Sequence, residues 1–335
     1  MISTLIVFLW VSIFLYALLA GSDFGTGVIE FLTPRAQRPA IRSLISAAMG
    51  PVWEANHVWL ILVVVILFNG FPGAAHLLFN AFHFPLLFLL LGIVFRGCAF
   101  TFRHYDAVKT EVSQRWYSRL FVLSSVITPF FFGQIIAGVY SGKIPATTNH
   151  LSFFDLYVAP WWGWFPLLTG LFITVLFAFQ GAGLLIAEAD SHVLQRRLRR
   201  LSVWLLALLF VLGGLVFFSA HHSGVPLLHY FLDSPLSILS FTISTFGAVA
   251  FFVTAKLGSG TVPIRMSIGA VTGGILLGYV SAFFPAMLIT TLGPLSFVAL
   301  AAPASSLQVL VMTLIGGSAL IFPSLYWLFR IFKRL

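Results

Sequence analysis

The chain has 335 residues, 60% of them hydrophobic and 8% charged, with a formal net charge of +9. A soluble domain is about 45–50% apolar and about 25% charged, so soluble, disordered, fibrous and disulfide-built secreted classes are excluded and an integral membrane protein is left. The single cysteine, Cys98, excludes an internal disulfide and a cysteine-based metal or iron–sulfur site.

A spanning helix needs about 20 mostly apolar residues. Nine stretches qualify: 4–31, 52–69, 76–102, 119–140, 161–187, 201–220, 236–255, 266–289 and 306–332. They are read as helices, because lipid tolerates no open strand edge and the alternation of a barrel is missing. The predicted fold is an all-α membrane protein of nine transmembrane helices, a single membrane domain over 1–335 with no inserted soluble domain. The first stretch lacks a basic leading segment, although Ala17–Ser22 loosely resembles a cleavage site, so it is read as a span and not as a signal peptide. Spans 1 and 5 share a polar-glycine patch, residues 22–27 and 180–183, which is too little to establish an internal repeat.

In chain order, Arg35, Arg38 and Arg42 follow span 1. Arg96, Arg103, Lys109, Arg115 and Arg119 surround the end of span 3. Arg196, Arg197, Arg199 and Arg200 follow span 5, Lys256 and Arg265 follow span 7, and Arg330, Lys333 and Arg334 close span 9. Seventeen of the 18 cations therefore fall on one side, and only Lys143 on the other. Positive charge marks the cytoplasmic face. The expected topology has the N-terminus outside and the C-terminus inside, and the charge needs no nucleic-acid partner.

Ionisable residues inside spans are costly and mark functional sites. Asp23 lies in span 1 among Gly21, Gly25 and Gly27, where glycine admits a close helix or loosens this one. Glu54 opens span 2 within Trp53-Glu54-Ala55-Asn56-His57-Val58-Trp59. Glu54 and His57 are i and i+3 and share a face on a helix, and a carboxylate beside an imidazole in low dielectric can hold or pass a proton. The bland alternatives are a packing patch for Asp23 and a helix-start charge between interfacial aromatics for Glu54. Arg96 can pair with Asp23 or Glu54, or snorkel to the surface. All three sit at similar inner depth, which suggests a hydrated inlet from the cytoplasm.

A bis-histidine haem needs two ligands at matched depth. Only His76 or His83 with His221 or His222 meets that, and the reading goes against it. His104, His150, His192 and His229 read as loop residues. Gln134 and Gln180 read as polar glue between helices.

At these residues the sequence resembles subunit II of the cytochrome bd quinol oxidases. The family's Gly-Phe-Asp-x-Gly-x-Gly is matched by Gly21-Ser22-Asp23-Phe24-Gly25-Thr26-Gly27, and its Trp-Asp-Gly-Asn-x-x-Trp-Leu by residues Trp53 to Leu60. Phe71-Pro72, Arg96, Gln180-Gly181 and Phe284-Pro285 match further family positions. Ser22 departs from the family's Phe, and Glu54-Ala55 from its Asp-Gly; the longer carboxylate can still serve as a donor.

The resemblance implies two four-helix bundles plus one peripheral helix. It also implies a bacterial inner membrane location and a partner, subunit I, that carries two haems b, one haem d and the quinol-oxidising loop. Small single-helix accessory subunits occur in the family. Quinol and dioxygen are the substrates of the complex. This chain is expected to hold no haem or metal; some members hold a structural quinone. The proton pathway is expected at Glu54, Asp23, His57, Arg96 and Asn56, and oxygen or quinone access at Trp59 and Trp53. The rival readings are a secondary transporter using Asp23 and Glu54 as coupling sites, and a haem b electron carrier using the outer histidines.

Overall fold

The computed structural model describes residues 1–50, 53–106, 110–147, 151–258 and 260–333. Lys109, His150, Arg334 and the expected start of span 2 at Val52 lie outside the described residues.

Helix α1 (Ile2–Leu32) runs unbroken through the polar-glycine patch. Its 31 residues extend about 46 Å, more than the ~30 Å of a hydrocarbon core. Helix α2 (Arg38–Met49) is not among the expected elements. It buries Ile41, Ile45, Ala48 and Met49, the i, i+4, i+7, i+8 stripe of an amphipathic surface helix, and that spacing is legible in the sequence.

The second expected span is shorter than read. A 3-10 turn at Ala55–His57 leads into α3 (Val58–Gly70), and α4 (Pro72–Ala81) departs from that line by 117°. Phe71 sits at φ −136°, ψ 61°, because a residue before proline is pushed out of the helical region. The third span is also corrected. Residues 76–81 belong to α4, and α5 begins only at His83 (His83–Tyr105).

Helix α6 (Glu111–Val139) starts earlier than expected, since the Thr110 hydroxyl accepts from the Ser113 amide at 3.1 Å and caps its first turn. There follow α7 (Phe153–Tyr157), α8 (Trp164–Glu188), α9 (His192–His222), α10 (Leu227–Asp233), α11 (Pro235–Leu257) and α12 (Thr261–Phe283). The expected helix through 289 stops at Phe283. Pro285 cannot continue it, and β1 (Ala286–Thr290) pairs antiparallel with β2 (Gly293–Ser296). Helix α13 (Ala304–Lys333) ends the described chain. Among the described residues eight helices are long and apolar enough to cross a membrane, or nine if the bent α3–α4 pair counts as one span.

Helices α1, α3, α5 and α6 pack together, as do α8, α9, α11 and α12, and α13 lies on α3. The two groups meet where α8 packs against both α1 and α6. A Cβ on Gly25 would overlap the Phe177 carbonyl, and one on Gly181 would overlap the Gly25 backbone, so the two polar-glycine patches are one crossing.

The arginine-bearing helix ends gather at one end of the molecule. Arg265 of α12 reaches Glu188 of α8 at 2.9 Å, and Arg199 of α9 donates to the Thr254 carbonyl of α11 at 3.1 Å. Lys143 is near the β-hairpin, beside the Ile144–Thr290 bridge.

Candidate functional site

The centre of the first helix group is charged. Asp23 and Arg96 form an ion pair with neither side chain exposed to solvent. Of the two partners open to Arg96, the structure selects Asp23, and the side chain does not snorkel to the surface. The guanidinium also lies over the rings of Phe24 (5.1 Å) and Phe121 (5.2 Å), where the ring faces attract a cation.

A second pair lies seven residues further on both helices. Arg103 reaches Glu30 at 2.9 Å. Both pairs join α1 to α5 with the same sequence offset, so these helices run in the same direction. Phe121 of α6 lies between the two arginines, with Arg103 at 4.5 Å from its centroid. Arg42 of α2 takes the other Glu30 oxygen at 2.6 Å and brings this pair to the surface, with 32% of its side chain exposed. Arg38 caps the end of α1 by donating to the carbonyls of Thr33 (3.0 Å) and Phe31 (3.3 Å).

Sequence reasoning misses Glu30 and counts Arg103 only as orientation charge. The signal is nonetheless present: acids at 23 and 30 and arginines at 96 and 103 share a seven-residue spacing, two turns of helix.

The second-span residues separate. Glu54 is exposed, at the start of the 3-10 turn, and has no ion pair among the described residues. His57 turns the other way, its ring 6.2 Å from both Tyr16 and Phe24, with Nδ1 buried and unpartnered. The expected shared face is therefore a division, with the carboxylate exposed and the imidazole Nδ1 turned into the interior. Asn56 is buried and donates to the Leu19 carbonyl at 3.5 Å. Trp53 packs on Phe100 and against Gly97. Trp59 is buried, with its ring 5.8 Å from Phe322 of α13 and its indole nitrogen unpartnered.

Gln180 donates to Thr272 at 2.9 Å and ties α8 to α12, and Gln134 reaches the Trp161 carbonyl at 3.5 Å. His221 and His222 are exposed, and His76 bonds Asn80. Among the described residues no three His, Cys, Asp or Glu side chains come close enough to hold a metal ion.

Residues 1–332 match the family described as cytochrome bd terminal oxidase subunit II. The chain belongs to that family. It is therefore a subunit of a quinol:oxygen oxidoreductase complex of bacterial respiration, and its partner is subunit I. Among known relatives, cytochrome bd ubiquinol oxidase subunit 2 of Bacillus subtilis is 25% identical over 324 residues, covering 94% of this chain and 91% of that protein. Cytochrome bd-I ubiquinol oxidase subunit 2 of Escherichia coli K12 is 26% identical over 127 residues, covering 37% of this chain and 33% of that protein. The fold is similar to a chain of the bd oxidase from Geobacillus thermodenitrificans, with a TM-score of 0.77, 19% identity and 98% of each chain covered.

Proposed function

We propose that this chain supports the haem-bearing subunit I and supplies part of a cytoplasmic proton-uptake path, with Glu54 as the entry carboxylate and His57 as the next acceptor inward. The observation that carries this reading is an exposed carboxylate with no ion pair among the described residues, followed three residues on by an imidazole whose Nδ1 is buried and unpartnered. Oxygen reduction to water consumes protons at a buried haem, and each must cross low dielectric on positioned groups.

The reading places the arginine-rich end at the cytoplasm and the N-terminus outside, with α3 and α4 together making the second of nine spans in the bacterial inner membrane. Haems b and d reside on subunit I. Asp23 and Arg96 pair with each other and fix α1 against α5 around this path.

Changing Glu54→Gln should slow oxygen consumption of the assembled oxidase at unchanged haem content. Unchanged turnover would remove Glu54 from the path. The transporter reading needs broken backbone at the coupling carboxylates. Helix α1 is continuous through Asp23, which disfavours Asp23 as a coupling site.

A further inference from the structure

Arginines crowd the start of α9, at positions 196, 197, 199 and 200. On a helix they are i+3 and i+4 neighbours of one another, and like charges at those spacings are destabilising. The first turn of α9 holds no acidic residue. Of the two acids just before it, Glu188 is held by Arg265 at 2.9 Å, and Asp190 is exposed with no ion pair among the described residues. Arg199 turns to α11 and donates to the carbonyls of Thr254 (3.1 Å) and Ala255 (3.5 Å). That contact sets Arg196 and Arg200 level with Lys256 at the end of α11. Lys256 Nζ folds back over the Phe252 ring, 4.4 Å from its centroid. Arg196, Arg200 and Lys256 are exposed, and none of them is in an ion pair among the described residues.

These cations stand at the head of an apolar track. Arg196, Val203, Phe210 and Phe217 recur every seven residues and share one face of α9. Thr245, Ala248, Phe252 and Lys256 share one face of α11 in the same way. The two faces lead into a cleft of about 360 Å³ between α9 and α11, lined by Leu206 and Phe210 on one wall and by Thr245 and Ala248 on the other. Its hydroxyls are already used. Thr245 donates to the Phe241 carbonyl at 2.9 Å, and Ser244 to the Val271 carbonyl at 3.2 Å. The cleft therefore suits a hydrocarbon chain better than a polar ligand. Leu206 and Phe210 lie about 9 and 15 Å along the axis from Arg200. The midplane of a ~30 Å hydrocarbon core lies ~15 Å from its edge, so a chain hung from the arginine level ends in the mouth of the cleft.

We propose that the α9–α11 face binds one anionic phospholipid from the leaflet at the arginine-rich end, with its phosphate on Arg196, Arg200 and Lys256 and one acyl chain passing Val203 and Phe252 into the cleft. Guanidinium groups match a phosphate through paired charge-assisted hydrogen bonds, and the lysine adds a point charge. A zwitterionic lipid brings an ammonium group that three uncompensated cations repel. Free phosphate brings no chain for the cleft, and a neutral isoprenoid brings no charge for the cations.

The test is photo-crosslinking of the intact, delipidated oxidase with phosphatidylglycerol or phosphatidylcholine carrying a diazirine on one acyl chain. Insertion sites are mapped by mass spectrometry, with insertion over the rest of the chain as the internal reference. A basic side chain near the membrane surface is worth about fivefold in affinity for an anionic lipid. At equal, sub-saturating amounts phosphatidylglycerol is therefore expected to label residues 206–210 and 245–248 about tenfold more than phosphatidylcholine does. The double variant Arg196→Gln with Lys256→Gln should bring that labelling down to the phosphatidylcholine level. Excess inorganic phosphate or an isoprenoid quinone should leave it unchanged. Equal labelling by the two lipids would overturn the proposal, as would a preference that survives the double variant. Displacement by phosphate or by the quinone would overturn it too, in favour of that occupant. The comparison of the two lipids on the native oxidase stands even if the variant fails to assemble.

Discussion

At the residue scale the buried Asp23–Arg96 pair dominates. Bringing two charges into low dielectric costs several kcal/mol per ion, and their attraction roughly repays it only while both are present. Asp23→Ala should therefore lower the stability of the assembled oxidase by about 3–5 kcal/mol, because Arg96 is left uncompensated. The double change Asp23→Ala with Arg96→Leu should recover a large part of that loss. Thermal unfolding of the purified complex measures both, and a double variant no better than the single one would show that the pair does more than neutralise itself. At Glu30, Arg42→Gln is expected to cost no more than about 1 kcal/mol, since the Arg42 side chain is partly solvated. Arg103→Gln should cost more, since Arg103 is buried with the carboxylate.

At the scale of elements, helix spacing is set by glycine at a few crossings. Gly25→Ala places a methyl into the Phe177 carbonyl, and overpacking of this kind costs about 1–3 kcal/mol even where neighbours can shift. At Gly214 of α9 an added methyl would meet nothing within 4 Å, so Gly214→Ala should gain up to about 1 kcal/mol of helix propensity. Opposite shifts in the melting temperature of the two variants check the α1–α8 crossing; equal shifts would refute it. The Phe71-Pro72 break belongs to the same scale. The proline is plain in the sequence, but the 117° change of direction that turns one apolar run into α3 and α4 is a property of the folded chain.

At the scale of the whole molecule the prediction concerns orientation. Cys98 is the sole native cysteine, so Cys98→Ser gives a clean background. In that background Lys143→Cys should react with a membrane-impermeant maleimide added outside intact cells, and Arg197→Cys should react only after the membrane is opened. The reverse pattern would invert the topology. The expected orientation rests on the sorting of charge between the two sides, a property that needs no coordinates.

The sequence by itself determined the class, the approximate number of spans and the family, because apolar runs of about 20 residues and unequal charge between loops are local or additive properties. Its polar motifs also marked Asp23, Glu54, His57 and Arg96 as the residues to watch. What it could not rank was the partner of Arg96, since Asp23 and Glu54 stand at similar depth. Only the tertiary structure decided that. It closed Arg96 onto Asp23, placed Glu54 on the surface and turned His57 inward. It also brought Glu30, Arg42 and Arg103 together. A charge at a helix end reads as topology in one dimension, and it becomes part of a buried site only when three helices converge on it.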